Sequence, residues 1–250
     1  MSRICSRSIG VLLIAALSAC GGAVRYDAMV AAASDTRDAF QEVAALVKKN
    51  DGVDIGFVFG SSGLLREQVL NGAPYDVYVS ANAAYVDEVI VAGLGIESSR
   101  QSFAVGRLAL ITATGVAPPT DLRDLRNQSS YSRIVIANPA HAPYGVAARE
   151  TLQSLGIYDQ VAGRLVLADN VADAVRLVQA GEVDAGLVAL PLVVRDRHLV
   201  VAADLHQPIR QTLVITSRAS DNDAARLFVA ALRSPVGRAI LVRYGFTVVS

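Results

Sequence analysis

Only two cysteines occur in 250 residues, Cys5 and Cys20, and there is no tryptophan. Both cysteines lie within the first twenty residues, so the rest of the chain has no disulfide to staple it. Its stability has to come from a hydrophobic core. Lysine is almost missing: Lys48 and Lys49 stand side by side on one helical face, and 21 arginines carry the remaining positive charge. No glycine-rich stretch is therefore followed by the lysine that a phosphate-cradling loop requires. The three histidines, His141, His198 and His206, are scattered, with neither cysteines nor carboxylates at metal-ligand spacing. The formal net charge is zero, which removes the basic footprint that nucleic-acid binding needs. Beyond the N-terminal stretch no apolar run reaches the 18 or more residues of a membrane span.

What is present is apolar and finely divided. Hydrophobic residues make up 52% and charged residues 18% of the chain, a balance that excludes disorder and permits a large core. The mean hydropathy of +0.39 comes from short runs rich in Ala and Val, which read as strands buried on both faces of parallel sheets.

The first twenty residues have a different organisation. Arg3 and Arg7 make a positive start, Ile9 to Leu17 is an uncharged apolar run, and Leu17-Ser18-Ala19-Cys20 closes it, followed by Gly21 and Gly22. This is an export signal, too short to span a bilayer as an ordinary helix. A small residue before cysteine at the cleavage point is similar to a bacterial lipobox, which predicts removal of residues 1–19 and lipid attachment at Cys20. The plainer readings are an ordinary cleaved signal that happens to end at cysteine, or an uncleaved anchor. The lack of any disulfide partner for Cys20 favours lipidation. Cleavage there leaves 231 residues, enough for one large domain or two lobes of about 100 residues each.

From residue 28 onward short apolar runs alternate with helical periodicity. Ala28 to Ala33 predicts a strand, and Asp35 to Lys48 a helix with Ala39, Phe40, Val43, Leu46 and Val47 on one face. Strand and helix then alternate through 53–59, 64–70, 76–80 and 84–92. A second unit runs through strands at 133–137, 164–168 and 185–190, with helices at 146–155 and 172–180. Strands at 199–203 and 211–216 and a helical stretch over 223–243 complete the chain. This order predicts an α/β fold with mostly parallel sheets flanked by helices and right-handed crossovers. A long strand at 103–113 and a second segment at 199–203 are placed to form two crossings of one hinge. Lobe one is then discontinuous, 24–104 plus 201–250, and lobe two is 105–200.

Three segments share one chemical logic, since each lies where a strand ends and a helix begins. They are Ala31-Ala32-Ala33-Ser34-Asp35, Phe59-Gly60-Ser61-Ser62-Gly63 and Asn138-Pro139-Ala140-His141-Ala142-Pro143-Tyr144-Gly145. A helix N-terminus presents unpaired backbone N–H groups and partial positive charge. Serine adds a hydroxyl donor, and glycine allows close approach of the backbone. In open α/β sheets ligands bind at the carboxyl ends of the strands, where these loops lie. Any one such loop alone is more simply a helix cap.

Those segments, with Gly72-Ala73-Pro74-Tyr75-Asp76-Val77-Tyr78-Val79-Ser80-Ala81, Ala168-Asp169-Asn170-Val171 and Tyr244-Gly245-Phe246, resemble the molybdate-binding proteins of molybdenum ABC importers, type II periplasmic binding proteins. The resemblance runs in order from about residue 28 to 246. It implies a two-lobed clamp with a two-strand hinge, periplasmic or on the cell surface, that captures molybdate or tungstate and delivers it to a membrane permease and its ATPase. It further implies a monomer with no cofactor, no enzymatic activity and no metal cation, the metal arriving only within the oxyanion. Carried over by position, Ser34 and Ser62 supply hydroxyl and amide donors from lobe one, and Tyr144 and Val171 supply backbone N–H groups from lobe two. The family pattern has a tyrosine where this chain has Ala189, and a small residue where it has Tyr144. Either the Tyr144 hydroxyl enters the cleft as a replacement, or its ring faces outward. A site made only of donors accepts fully deprotonated dianions and rejects hydrogen phosphate, whose proton needs an acceptor.

Two other readings stand beside this one: a receptor for a different oxyanion, and a serine hydrolase using Ser62. The hydrolase needs a base at Ser62, and Gly60-Ser61-Ser62-Gly63 is no nucleophile elbow, because Leu64 occupies the place of the second glycine. His141 and Asp76 read as structural hydrogen-bonding residues.

Overall fold

A computed structural model describes residues 25–249. The export signal and Cys20 lie outside the described residues. The first lobe begins with β1 (Ala28–Ala33), whose six residues are buried except Met29. It pairs in parallel with β2 (Ile55–Gly60) and β3 (Val77–Ser80). Side chains alternate across the sheet: Val30 and Ala32 enter one apolar cluster and Ala31 the other, as do Val77 and Val79 against Tyr78. Both faces are covered, by α1 (Arg37–Asp51) on one side and by α2 (Ser62–Leu70) and α3 (Ala83–Val91) on the other. Apolar residues on both faces are what a strand covered on both sides requires.

The long strand expected at 103–113 is two strands. β4 (Gln101–Gly106) belongs to the first sheet and β5 (Leu108–Thr112) to the second, with the break at Arg107. The second lobe continues with β6 (Ile134–Ala137), α4 (Pro143–Ser154), α5 (Tyr158–Val161), β7 (Leu165–Ala168), α6 (Val171–Gln179), β8 (Ala185–Ala189) and β9 (Leu199–Val200). Its strand order is β7-β6-β8-β5-β9. The chain then returns through residues 201–208 to β10 (Ile209–Ile215), and α7 (Asp223–Arg233), α8 (Pro235–Arg243) and β11 (Thr247–Val248) close the first lobe. The first sheet has the order β11-β4-β10-β3-β1-β2.

The alternation of strands and helices predicts parallel pairing, which holds within each lobe's central βα units. The crossings pair differently: β10 runs antiparallel to β3 and β4, and β5 antiparallel to β8 and β9. β10 re-enters the first sheet directly from the other lobe, with no crossover helix before it to make it parallel to β3. The C-terminal helical stretch is likewise two helices. Pro235 cannot donate into the helix before it, and the Ser234 side chain accepts from the Gly237 amide at 3.0 Å to cap α8. No helix among the described residues is long and apolar enough to cross a membrane.

Phe40 anchors the larger core of the first lobe. Its fully buried ring packs edge-on to Phe228 at 5.4 Å and against Phe103 at 5.9 Å and Phe57 at 6.3 Å between centroids. Phe40→Ala removes a large ring from a site with little room to collapse, so it should lower unfolding free energy by about 3–5 kcal/mol. Urea unfolding would report this as a lower midpoint at an unchanged slope.

Candidate functional site

Four chain turns converge between the lobes: those at the ends of β1 and β2 from the first, and those opening α4 and α6 from the second. They line a small, tightly closed cavity of about 10 Å³ with an opening to solvent. Ser34, Ser62, Tyr144 and Val171 all line it, as do Asp35 and Ser61. α2, α4 and α6 start earlier than periodicity alone suggests, whereas α1 starts at Arg37, two residues later than the expected Asp35. Ser62 is the first residue of α2, Tyr144 the second of α4 and Val171 the first of α6, while Ser34 opens a 3-10 turn, Ser34–Thr36, ahead of α1. Cavity-lining residues thus occupy first turns, where backbone N–H groups have no intrahelical acceptor.

Each serine oxygen is held from behind. Ser62 Oγ accepts the Ala81 amide at 3.0 Å, and the Ser62 carbonyl accepts Tyr78 Oη at 2.8 Å. Ser34 Oγ accepts the Ala172 amide at 3.4 Å across the two lobes. A hydroxyl that is accepting keeps its own hydrogen available to donate. Asn170 takes the Ala172 and Asp173 amides at 3.0 and 3.1 Å, which leaves the Val171 N–H without an acceptor among the described residues. No lysine or arginine lines the cavity.

The lobes meet directly beside it. The His141 carbonyl accepts from Gly63 N at 2.9 Å and from Ser61 Oγ at 2.6 Å, and His141 Nδ1 is 2.9 Å from the same hydroxyl. A Cβ on Gly63 would stand 2.7 Å from the His141 carbonyl oxygen, so this approach requires glycine. His141 is the structural hydrogen-bonding residue its sequence setting suggests. It bonds Ser61 rather than Ser62, so the hydrolase reading lacks its base. Asp76 is structural too, its Oδ2 accepting the Met29 amide at 2.7 Å. No cluster of three or more potential metal ligands occurs among the described residues.

Tyr144 resolves the choice between inward and outward rings. It is 2% exposed, and its hydroxyl donates to Asp35 Oδ2 at 3.0 Å. Ala189, where the family pattern has tyrosine, is buried in β8 beside β5. Gln211 Nε2 donates to the same Asp35 oxygen at 2.7 Å, from a point where β10 shifts register against β4. Such irregularities re-aim side chains. A Cβ at Gly106 would fall 2.1 Å from Tyr144 Oη and 3.2 Å from Gln211 Nε2, so the cluster exists only because the crossing carries glycine there.

Asp35 is the residue the sequence reading passed over. An aspartate at the mouth of a helix reads as an ordinary dipole partner, and no local pattern reveals that another lobe will cover it. It is 1% exposed, and neither Asp35 Oδ1 nor Gln211 Oε1 has a hydrogen-bond partner. Burial disfavours the charged form and pushes its pKa from 3.8 up to about 7, against the lowering effect of hydrogen bonds from Tyr144, its own backbone and Gln211. Burial and the neighbouring carboxyl also hold the Tyr144 phenol well above its usual range. Beside the donors expected from the sequence the cavity therefore holds a carboxyl that donates when neutral and accepts when ionised.

Two α/β lobes joined by two crossings and shut over one cavity define the class of two-lobed solute-binding proteins. The chain belongs to the bacterial extracellular solute-binding protein family, whose sequence profile matches residues 28–247. It is 32% identical over 242 residues to the molybdate-binding protein ModA of Azotobacter vinelandii, covering 94% of this chain and 95% of that one. It is also 32% identical over 244 residues to ModA of Haemophilus influenzae, covering 94% and 95%. The solved periplasmic molybdate-binding protein of A. vinelandii superimposes with a TM-score of 0.83 at 28% identity, over 89% of this chain and 100% of that one.

The buried carboxyl makes stability depend on pH in a defined direction. Between pH 3.8 and about 7 the native state keeps a proton on Asp35 that the unfolded chain has already released. Native stability from this group therefore falls as pH rises through that window. Asp35→Asn should remove this slope, so that the variant gains on the parent as pH rises from 4 to 8. Chemical denaturation at each pH checks it, and parallel curves for the two proteins would contradict the assignment.

Proposed function

We propose that this protein is the extracytoplasmic substrate-binding component of an ABC importer, that it captures a tetrahedral oxyanion between its lobes, and that molybdate, or tungstate, is the anion. One observation carries the reading: hydroxyl-bearing and amide-bearing first turns from both lobes line a single cavity that contains no basic side chain. Neutral donors at helix N-termini suit an anion that must be held dry and then released. Ser34 and Ser62 donate hydroxyl hydrogens from the first lobe, and Tyr144 and Val171 donate backbone N–H groups from the second. The relatives named for molybdate supply the choice of anion.

On the same reading the protein acts as a monomer, with lobe one formed by 24–104 plus 201–250 and lobe two by 105–200. It has no catalytic role and passes its cargo to a permease driven by an ATPase. Cys20 holds it at the membrane through lipid, with residues 1–19 removed.

Ligand binding to the native state stabilises it by RT ln(1 + [L]/Kd), about 2.7 kcal/mol at a hundred-fold excess over Kd. Molybdate and tungstate should raise the melting temperature, while sulfate, whose smaller size fits the donors poorly, should not. Ser34→Ala and Ser62→Ala each remove a charge-assisted hydrogen bond of about 1.5–3 kcal/mol and should weaken binding roughly ten- to a hundred-fold in calorimetry. Parent-like affinity in both variants would refute this site. Cys20→Ala should release the protein from the membrane fraction, and failure of the parent to incorporate a fatty-acid label would refute the anchor.

A further inference from the structure

We propose that Asp35 carries the proton that allows the closed cavity to hold a dianion: its neutral carboxyl donates from Oδ1 to the captured oxyanion, so capture is coupled to one proton. This rests on the oxyanion reading above and adds to it a group that decides when the site is competent.

The hydrogen bonds locate that proton. Tyr144 Oη and Gln211 Nε2 both donate to Oδ2, which leaves Oδ2 as the accepting, carbonyl-like oxygen. In a protonated Asp35 the hydrogen then belongs on Oδ1, the oxygen that has no partner. The residue lines the same cavity as Ser34, Ser62, Tyr144 and Val171. An ionised carboxylate there would face a dianion at short range, with no basic side chain to offset the repulsion. A neutral one adds a hydroxyl donor to a set of donors.

The ionisation belongs to Asp35 alone. Tyr144, from α4, is the titratable side chain bonded to it, and burial together with the Asp35 carboxyl keeps that phenol protonated. Gln211, from β10, is neutral, and the turn Leu190–Leu192 packed on the Ser34–Thr36 turn is apolar. The shift comes from burial, opposed by the hydrogen bonds of Tyr144, the Asp35 backbone and Gln211, and not mainly from the charges of Arg37 and Asp38 on α1, Arg107 in the crossing, Asp169 and Asp173 beside the start of α6 or His141 before α4. With ionisation near pH 7, the proton is already in place below neutrality. Above it, the proton must be taken from solvent as the anion enters.

The same carboxyl reverses the site's preference when ionised. An anion that carries its own proton, as hydrogen phosphate does, can donate to Oδ1 and needs no proton from solvent. The cavity holds one proton in either complex; only its source differs.

The test is calorimetry of the full-length protein with molybdate from pH 6 to 9, in buffers that differ in protonation enthalpy. For the parent, Kd should be flat below about pH 7 and rise towards tenfold per pH unit above it, with uptake close to one proton at pH 8. Asp35→Asn places an amide donor at the Oδ1 position at every pH, so its Kd should be flat and its proton uptake near zero. Tight binding by the parent with a flat profile and no uptake overturns the proposal and leaves the oxyanion reading standing. Equal pH slopes in parent and variant overturn it as well, by assigning the proton elsewhere. Failure of molybdate to bind either protein at any pH overturns the oxyanion reading itself. The proton count on the parent needs no variant, so a poorly folding Asp35→Asn protein leaves the test intact.

Discussion

An anion removed from water must recover from its binder the hydrogen bonds it gave up, and on the proposed reading it would do so in a cavity without a single basic side chain. That constraint governs the structure around the cavity. Donors have to be neutral, numerous and fixed in advance, and helix N-termini are the cheapest source of them. The βα units bring those termini to the carboxyl ends of two sheets. Two crossings let the sheets face each other, so that Ser34 and Ser62 on one side meet Tyr144 and Val171 on the other. Gly63 and Gly106 matter because the faces must approach to within hydrogen-bonding distance, and a methyl group at either position would intrude.

Much of this was legible in the sequence because its cause is local. Alternating apolar runs and helical stripes placed the strands and helices, and serine and glycine at strand-to-helix turns singled out three of the four turns that line the cavity, while the fourth, at Val171, came only from the family resemblance. Boundaries were less legible where tertiary contacts set them. Pro143 begins α4 ahead of the apolar periodicity, because proline is at home in a helix's first turn. The strand over 103–113 reads as continuous because both halves are apolar, and only their membership of different sheets separates them at Arg107. Pro235 was a legible break in the C-terminal helix that the periodicity on either side masked.

The buried cluster was not legible at all. Tyr144 and Gln211 lie 109 and 176 residues from Asp35 along the chain, and nothing near Asp35 distinguishes a carboxyl that will be covered from one that stays wet. Ala189 and Tyr144 were visible as departures from the pattern that the resemblance implies. Their outcome was not, because the direction of the ring depends on Gly106 and on the register shift at Gln211. Fold-level likeness to molybdate-binding relatives therefore gives the architecture, while the chemistry of the cavity belongs to this chain's own side chains.

The account turns on the anion sitting among these four first turns and nowhere else. Crystals grown with molybdate and measured at the molybdenum absorption edge locate the metal directly by anomalous scattering. The prediction is one strong peak in the interlobe cavity, its oxygens within hydrogen-bonding distance of Ser34 Oγ, Ser62 Oγ and the Tyr144 and Val171 amides. A peak outside that cavity, or a closed protein with none in it, would contradict the account.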